Sequence, residues 1–171
     1  MKKVLLSAVI TMCSVISLNA QSFAKNDNVA GVNVGLGGSY GIPISLSYER
    51  GVHDINKDMS IGVGGLIGYG SSSEDFVGGE WSYSNILIGA RGSYHYTGIN
   101  KLDLFAGLTL GYDIVSAKWK GDGISVDGAE ASGILWGLHA GARYYFNEKF
   151  GVNAELGYGL SYLSIGLSYK F

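Results

Sequence analysis

Proline and cysteine are nearly absent from the 171 residues, at one each. A single proline leaves the backbone free to donate along unbroken strand ladders. The lone cysteine, Cys13, sits in an apolar run near the N-terminus, so no internal disulfide can staple the chain. Charge is scarce too: 15% of residues are charged against 47% hydrophobic, which excludes a disordered, solvating chain. The formal charge of −2 carries no basic excess, so nucleic acid is not an expected partner. Beyond the first two dozen residues no stretch holds the ~20 consecutive apolar residues of a spanning helix. The 28 glycines keep no period of three, which excludes collagen. Glycine and aromatics are what the chain has in quantity, with 12 Tyr among 12% aromatics. One Gly-rich and Tyr-rich β domain is the class that remains.

The N-terminus has its own logic. Met1-Lys2-Lys3 is a short basic start, Val4 to Leu18 is apolar, and Ser22-Phe23-Ala24 supplies the small-x-small pattern of a signal peptidase site. Residues 1–24 therefore read as a cleavable export signal and 25–171 as the mature domain. A cut after Ala20 is the alternative, with Leu18 fitting the −3 position less well than Ser22 does. The apolar run of about 15 residues is shorter than a spanning helix needs. Met12 precedes Cys13 where lipidation requires a small residue. Cleavage removes Lys2, Lys3 and Cys13, leaving 10 basic residues against 14 acidic ones, a charge of −4, and no cysteine.

The hydropathy of the mature chain has a period of two. Leu102, Leu104, Ala106, Leu108, Leu110, Tyr112 and Ile114 alternate with Asp103, Gly107, Thr109, Gly111 and Asp113. The last segment repeats the pattern: Leu163, Ile165, Leu167, Tyr169 and Phe171 alternate with Ser164, Gly166, Ser168 and Lys170. The same template predicts eight strands, near 29–37, 42–52, 59–69, 82–96, 102–117, 132–146, 150–158 and 160–171. Connections after the second, fourth and sixth are short, whereas Gly70 to Trp81 and Lys118 to Ala131 are longer loops. An even strand count with short turns at one end and longer loops at the other is the pattern of an up-and-down antiparallel transmembrane β-barrel.

Charge placement decides which face is inside. Glu49, Arg91, His95, Asp103, Asp113, His139, Arg143, Glu155 and Lys170 share one face, diluted by glycine and serine. That makes a poor exterior but a packed lumen, because eight strands enclose a space just filled by side chains. Buried charges need partners. Hairpin register puts His95 near Asp103, and Arg143 diagonally near Glu155. The other face is apolar with aromatic ends: Tyr48, Tyr94, Tyr96, Tyr144, Phe146, Tyr169 and Phe171 at the short-turn end, and Tyr69, Tyr112, Trp136 and Tyr158 at the other. Two aromatic girdles bracket an uncharged band, as lipid-facing walls require.

The segments Gly41-Ile42-Pro43-Ile44-Ser45-Leu46-Ser47-Tyr48-Glu49, Ile88 to Tyr96, Gly141 to Phe146 and Phe150 to Gly159 resemble the small outer-membrane β-barrel proteins common in Bacteroidota. These are similar in architecture to the OmpX and OmpA barrels. The resemblance spans nearly all the mature chain, and its motifs are architectural. It implies an outer-membrane location in a Gram-negative cell envelope and periplasmic termini, and names no activity. It also implies that Leu167, Tyr169 and Phe171 form the C-terminal signal recognised by the barrel-assembly machinery, an amphipathic last strand offering a free edge for templated pairing.

The residues offer little for catalysis. Without cysteine there is no thiol nucleophile, and His53, His95 and His139 fall in separate segments without metal-ligand spacing. The runs Gly35-Leu36-Gly37-Gly38 and Gly62-Val63-Gly64-Gly65 lack the Lys-Ser or Lys-Thr of a phosphate loop. Contact candidates are Phe76, Trp81 and Trp119 in the longer loops, with interfacial anchoring as the plainer use of the two tryptophans. The expectation is a monomeric, cofactor-free barrel, not an enzyme, that meets outer-membrane lipid and lipopolysaccharide and acts structurally or through its external loops. The alternatives are a narrow porin-like channel and, more remotely, a lipid-modifying enzyme.

Overall fold

A computed structural model describes residues 22–38, 41–77, 79–121, 124–127 and 132–171. Residues 1–21, most of the expected export signal, lie outside the described residues. Among the described residues nine strands form: β1 (Asn28–Leu36), β2 (Ile44–Asn56), β3 (Met59–Phe76), β4 (Gly79–Ile99), β5 (Leu102–Gly121), β6 (Ile124–Asp127), β7 (Gly133–Tyr145), β8 (Phe150–Tyr158) and β9 (Leu163–Lys170). Eight of them close a ring. Each is antiparallel to its neighbour, β5 pairs directly with β7, and β9 returns to β1 through Val29↔Lys170 to Leu36↔Leu163. The short β6 stands outside the ring, paired among the described residues with the end of β5.

Alternation becomes two surfaces because successive side chains leave a strand on opposite sides. Val32, Leu46, Ile67, Ile88, Leu108, Leu138, Leu156 and Leu167 are exposed on the outer wall, while Glu49, Ser93, His95, Asp103, His139, Arg143 and Ser168 are buried inside. No soluble protein gains by exposing so continuous an apolar belt. On β7 the belt runs from Trp136 to Tyr144, eight residues along the strand. At ~3.3 Å per residue and a tilt of ~40° that is on the order of 20 Å along the membrane normal, close to the lipid band of such barrels. Closure satisfies the backbone groups of every wall strand, the condition for β structure in lipid.

Tight turns close one end. Asn147 Oδ1 accepts from the backbone N–H groups of Lys149 and Phe150 at 2.9 and 2.8 Å, and Asn56 Oδ1 accepts from Asp58 N–H at 2.9 Å. The opposite end departs from the sequence expectation. The longer loops are largely strand: β3 and β4 stay paired to Phe76↔Gly79, and β4 and β5 to Gly79↔Gly121. β2 leaves this sheet at Ile44↔Tyr69 and β7 at Asp113↔Gly133. Past those points β3, β4 and β5, joined by β6, stand about seven residues clear of the ring, on the order of 20 Å. Serine pairs Ser71↔Ser84 and Ser73↔Ser82, and the aromatic pair Trp81↔Trp119, supply cross-strand contacts that extend pairing where loops were expected.

Candidate functional site

Two places in this frame concentrate functional side chains: the lumen and the projecting sheet. Four lumen residues from four strands form a closed circuit near the turn end. His95 on β4 lies 2.8 Å from Asp103 Oδ1 through Nδ1 and 3.2 Å from Glu49 Oε1 through Nε2. Arg143 on β7 donates to Asp103 Oδ2 at 2.7 Å and to Glu49 Oε2 at 3.4 Å. Both neighbours of the His95 ring are acceptors, so both contacts are hydrogen bonds when the ring carries two protons. Two cations and two carboxylates then cancel, the arrangement that lets charges sit in an interior.

Small residues make room for the circuit. A methyl group on Gly62 would fall 2.9 Å from both Glu49 Oε1 and His95 Nε2, so only glycine fits there without displacing them. Phe105 packs within it: the Arg143 guanidinium lies 5.1 Å from its ring centroid and the His95 ring 5.9 Å. Phe105 shares the lumen parity of Asp103 and Gly107, a signal present in the sequence but overshadowed by the charged residues around it.

His95 and Asp103 meet as hairpin register predicts, and Arg143 and Glu155, diagonal neighbours on β7 and β8 as expected, take different partners. Arg143 stands opposite Asn153 and turns toward Asp103 and Glu49; Glu155 instead accepts from Arg91 on β4 at 2.7 Å. The barrel's curvature brings β4 within reach of β8 across the lumen, so Arg91 meets Glu155 there. His139 sits between the Ser93 hydroxyl at 3.0 Å and the Thr109 hydroxyl at 3.3 Å. A serine beside a histidine suggests a nucleophile and base, but such a base is oriented by a carboxylate on its other nitrogen. Here a threonine takes that position, and Ser93 and His139 are both buried in the lumen. Asp113, nearer the projecting end, accepts from Asn85 Nδ2 at 3.4 Å, and Lys170 Nζ lies 3.5 Å from Asp27 Oδ2.

Two small cavities lie in the lumen beside this circuit. Toward the projecting end, Leu66, Leu87, Leu135 and Leu160 line a cavity of about 40 Å³ together with Arg91, His139 and Glu155. Leu160, from the turn before β9, reaches across to β3, where a methyl on Gly68 would lie 2.8 Å from its Cδ2. A second cavity of about 10 Å³ lies among Glu49, Arg91, Arg143 and Glu155. Spaces of this size hold single waters or a few, far from a continuous aqueous path.

The projecting sheet corrects the expected use of its tryptophans. Trp81 and Trp119 are register partners with ring centroids 5.4 Å apart, and Tyr83 stacks at 6.3 Å from Trp81. All three continue the lumen parity of Leu87, Arg91 and Asp113, and stand opposite in parity to the lipid-facing Ile86 and Tyr112. They are therefore a cluster above the mouth of the ring, not interfacial anchors on the lipid wall. Phe76 ends β3, and its side chain lies outside the described residues.

No family model and no curated protein matches this chain. Among solved structures it is similar to the N-terminal β-barrel domain of Pseudomonas aeruginosa OprF, with 16% identity, a TM-score of 0.53, and 86% of this chain and 98% of that one covered. It is similar also to the Yersinia pestis outer membrane protein Ail in a phospholipid bilayer nanodisc, at 13% identity and a TM-score of 0.50, covering 86% and 100%. A de novo designed transmembrane β-barrel aligns at 16% identity and a TM-score of 0.51, over 88% and 99%. At these identities the likeness carries the fold: the chain has the architecture of the small outer-membrane barrels.

Proposed function

We propose that this outer-membrane β-barrel is a surface-interaction protein without catalytic activity, related to the small barrels of Bacteroidota that its segments resemble. With the tight turns periplasmic, the projecting sheet of β3, β4, β5 and β6 stands outside the cell. One observation carries this reading. Trp81, Tyr83 and Trp119 gather on a single face of that sheet, past the points where β2 and β7 leave it. Clustered aromatics on a rigid ladder lose little conformational freedom on binding and suit flat, amphipathic ligands such as sugar rings. Leu167, Tyr169 and Phe171 on the outer wall of β9 serve assembly under the same reading, as the segment read by the barrel-assembly machinery.

The test is binding of purified barrel in nanodiscs to immobilised lipopolysaccharide and a panel of glycans. Trp81→Ser with Trp119→Ser is expected to abolish whatever binding the wild type has while leaving its heat-modifiable migration, the mark of a closed barrel, unchanged. Equal binding by the double variant would remove the projecting cluster from the function.

The narrow channel is the competing reading, and the packed lumen weighs against it. Properly folded protein in a planar bilayer is expected to give no steady conductance steps. Reproducible steps that change with Arg91→Ala would restore the channel.

A further inference from the structure

The segment before β1 folds into the turn end of the lumen. Phe23 has no exposed surface and stacks on His95, ring centroids 4.0 Å apart and planes 23° from parallel. Ser22 is buried beside it, its hydroxyl donating to the Leu102 carbonyl at 2.8 Å. A turn then holds the chain in place: Ala24 N–H donates to Asp27 Oδ2 at 3.1 Å, and Asp27 N–H donates to the Ala24 carbonyl at 3.1 Å. Asn26 N–H donates to Gly51 carbonyl at 2.8 Å, Gly51 N–H to Asp27 carbonyl at 2.9 Å, and Lys25 N–H to Asp54 Oδ1 at 2.7 Å.

The barrel wall is shaped for this segment. A methyl on Gly51 would run into the Ala24 carbonyl, so the glycine permits the backbones to approach. Beneath Phe23 lie His95 and Asp103, both without exposed surface, and Glu49, 4% exposed. Charges buried this deeply depend on a cover that keeps water from competing for their hydrogen bonds. A cut after Ala24 discards that cover, along with both hydrogen bonds that Ala24 makes to Asp27.

From this packing we infer that the export signal is removed between Ala20 and Gln21, and that Ser22-Phe23-Ala24 remains as a plug sealing the periplasmic mouth. Signal peptidase hydrolyses the Ala20–Gln21 peptide bond with one water, leaving a carboxylate on Ala20 and an amine on Gln21. Ala20 provides the small −1 residue, and the larger Leu18 at −3 is the weaker part of the site. The small-x-small pattern at Ser22 to Ala24 then has a structural use: a small residue either side of Phe23 lets its ring enter a narrow mouth.

Full-length protein exported in a Gram-negative host and purified from its membranes decides the cut by intact mass and N-terminal sequencing. A mature chain beginning at Gln21 is expected; one beginning at Lys25, or at any other residue, overturns the assignment. The plug is tested with Ser22→Cys, which carries a single cysteine once Cys13 has left with the signal. A maleimide is expected to label it only after unfolding. Labelling of the folded barrel overturns the plug, and no labelling in either state means that the segment is absent. Phe23→Cys, run in parallel, reads the same three outcomes at the covering residue itself and guards against a Ser22 variant that fails to close.

Discussion

Leu108→Arg is expected to lower the unfolding free energy of the barrel in lipid vesicles by about 2 to 4 kcal/mol, the cost of a cation on the lipid face near the midplane. Leu108 is 61% exposed, opposite Gly92 on β4 and Leu138 on β7. It lies between Tyr112 toward one girdle and Tyr144, the register partner of Leu102, toward the other. Its long side chain cannot snorkel far from that depth without bending the strand. Tyr162→Arg, on a 60% exposed residue in the turn before β9, is the matched control near the rim, where the same charge costs only about 0 to 1 kcal/mol. Urea unfolding followed by tryptophan fluorescence measures both. Equal stability of Leu108→Arg and wild type would mean that the wall does not face lipid.

Arg143→Met is expected to cost about 3 to 5 kcal/mol in the same assay, because it strands two buried carboxylates with one histidine between them. The expected signature is the recovery, more than the loss. Arg143→Met with Asp103→Leu leaves Glu49 and His95 as one neutral pair and should regain much of the stability, since a buried ion pair replaced by apolar groups of similar volume is often close to neutral. A double-mutant cycle reads the coupling directly. Additive losses would show that Arg143 and Asp103 act independently, and the four-residue circuit would then not be an energetic unit.

The wall was legible in the sequence because a period of two over eight segments leaves almost no freedom in which side chains face lipid. Leu102 to Ile114 and Leu163 to Phe171 face the sides their parity assigns. Partner choice inside the lumen was harder to read. Hairpin register brings His95 to Asp103, because eight residues and one tight turn separate them. It cannot tell that Arg91 reaches Glu155, because those contacts cross the ring and depend on its diameter. The projecting sheet was read as loops because Ser71-Ser72-Ser73 and the glycines around it look like turn residues in isolation. Their strand state comes from pairing with β4, a tertiary effect that local propensity does not carry. Phe23 was read only as the middle of a cleavage motif, since nothing local marks a residue that will fold back into the molecule it precedes.

Closure of β9 on β1 has a consequence for how the molecule must be made. Phe171 N–H donates to the Asn28 carbonyl at 3.0 Å, so the segment closing β9 finishes a ladder begun by β1. The contact that completes the structure is thus the one of greatest sequence separation, and contacts of that kind form late and slowly. Until the last strand arrives, any inserted intermediate has two bare edges in a solvent that cannot hydrogen-bond to them. Strand-by-strand entry into the bilayer, as synthesis proceeds, is therefore closed to this chain. Its wall strands must find one another as they enter lipid, and the pairing of β9 with β1 is the step that ends the exposure of bare edges.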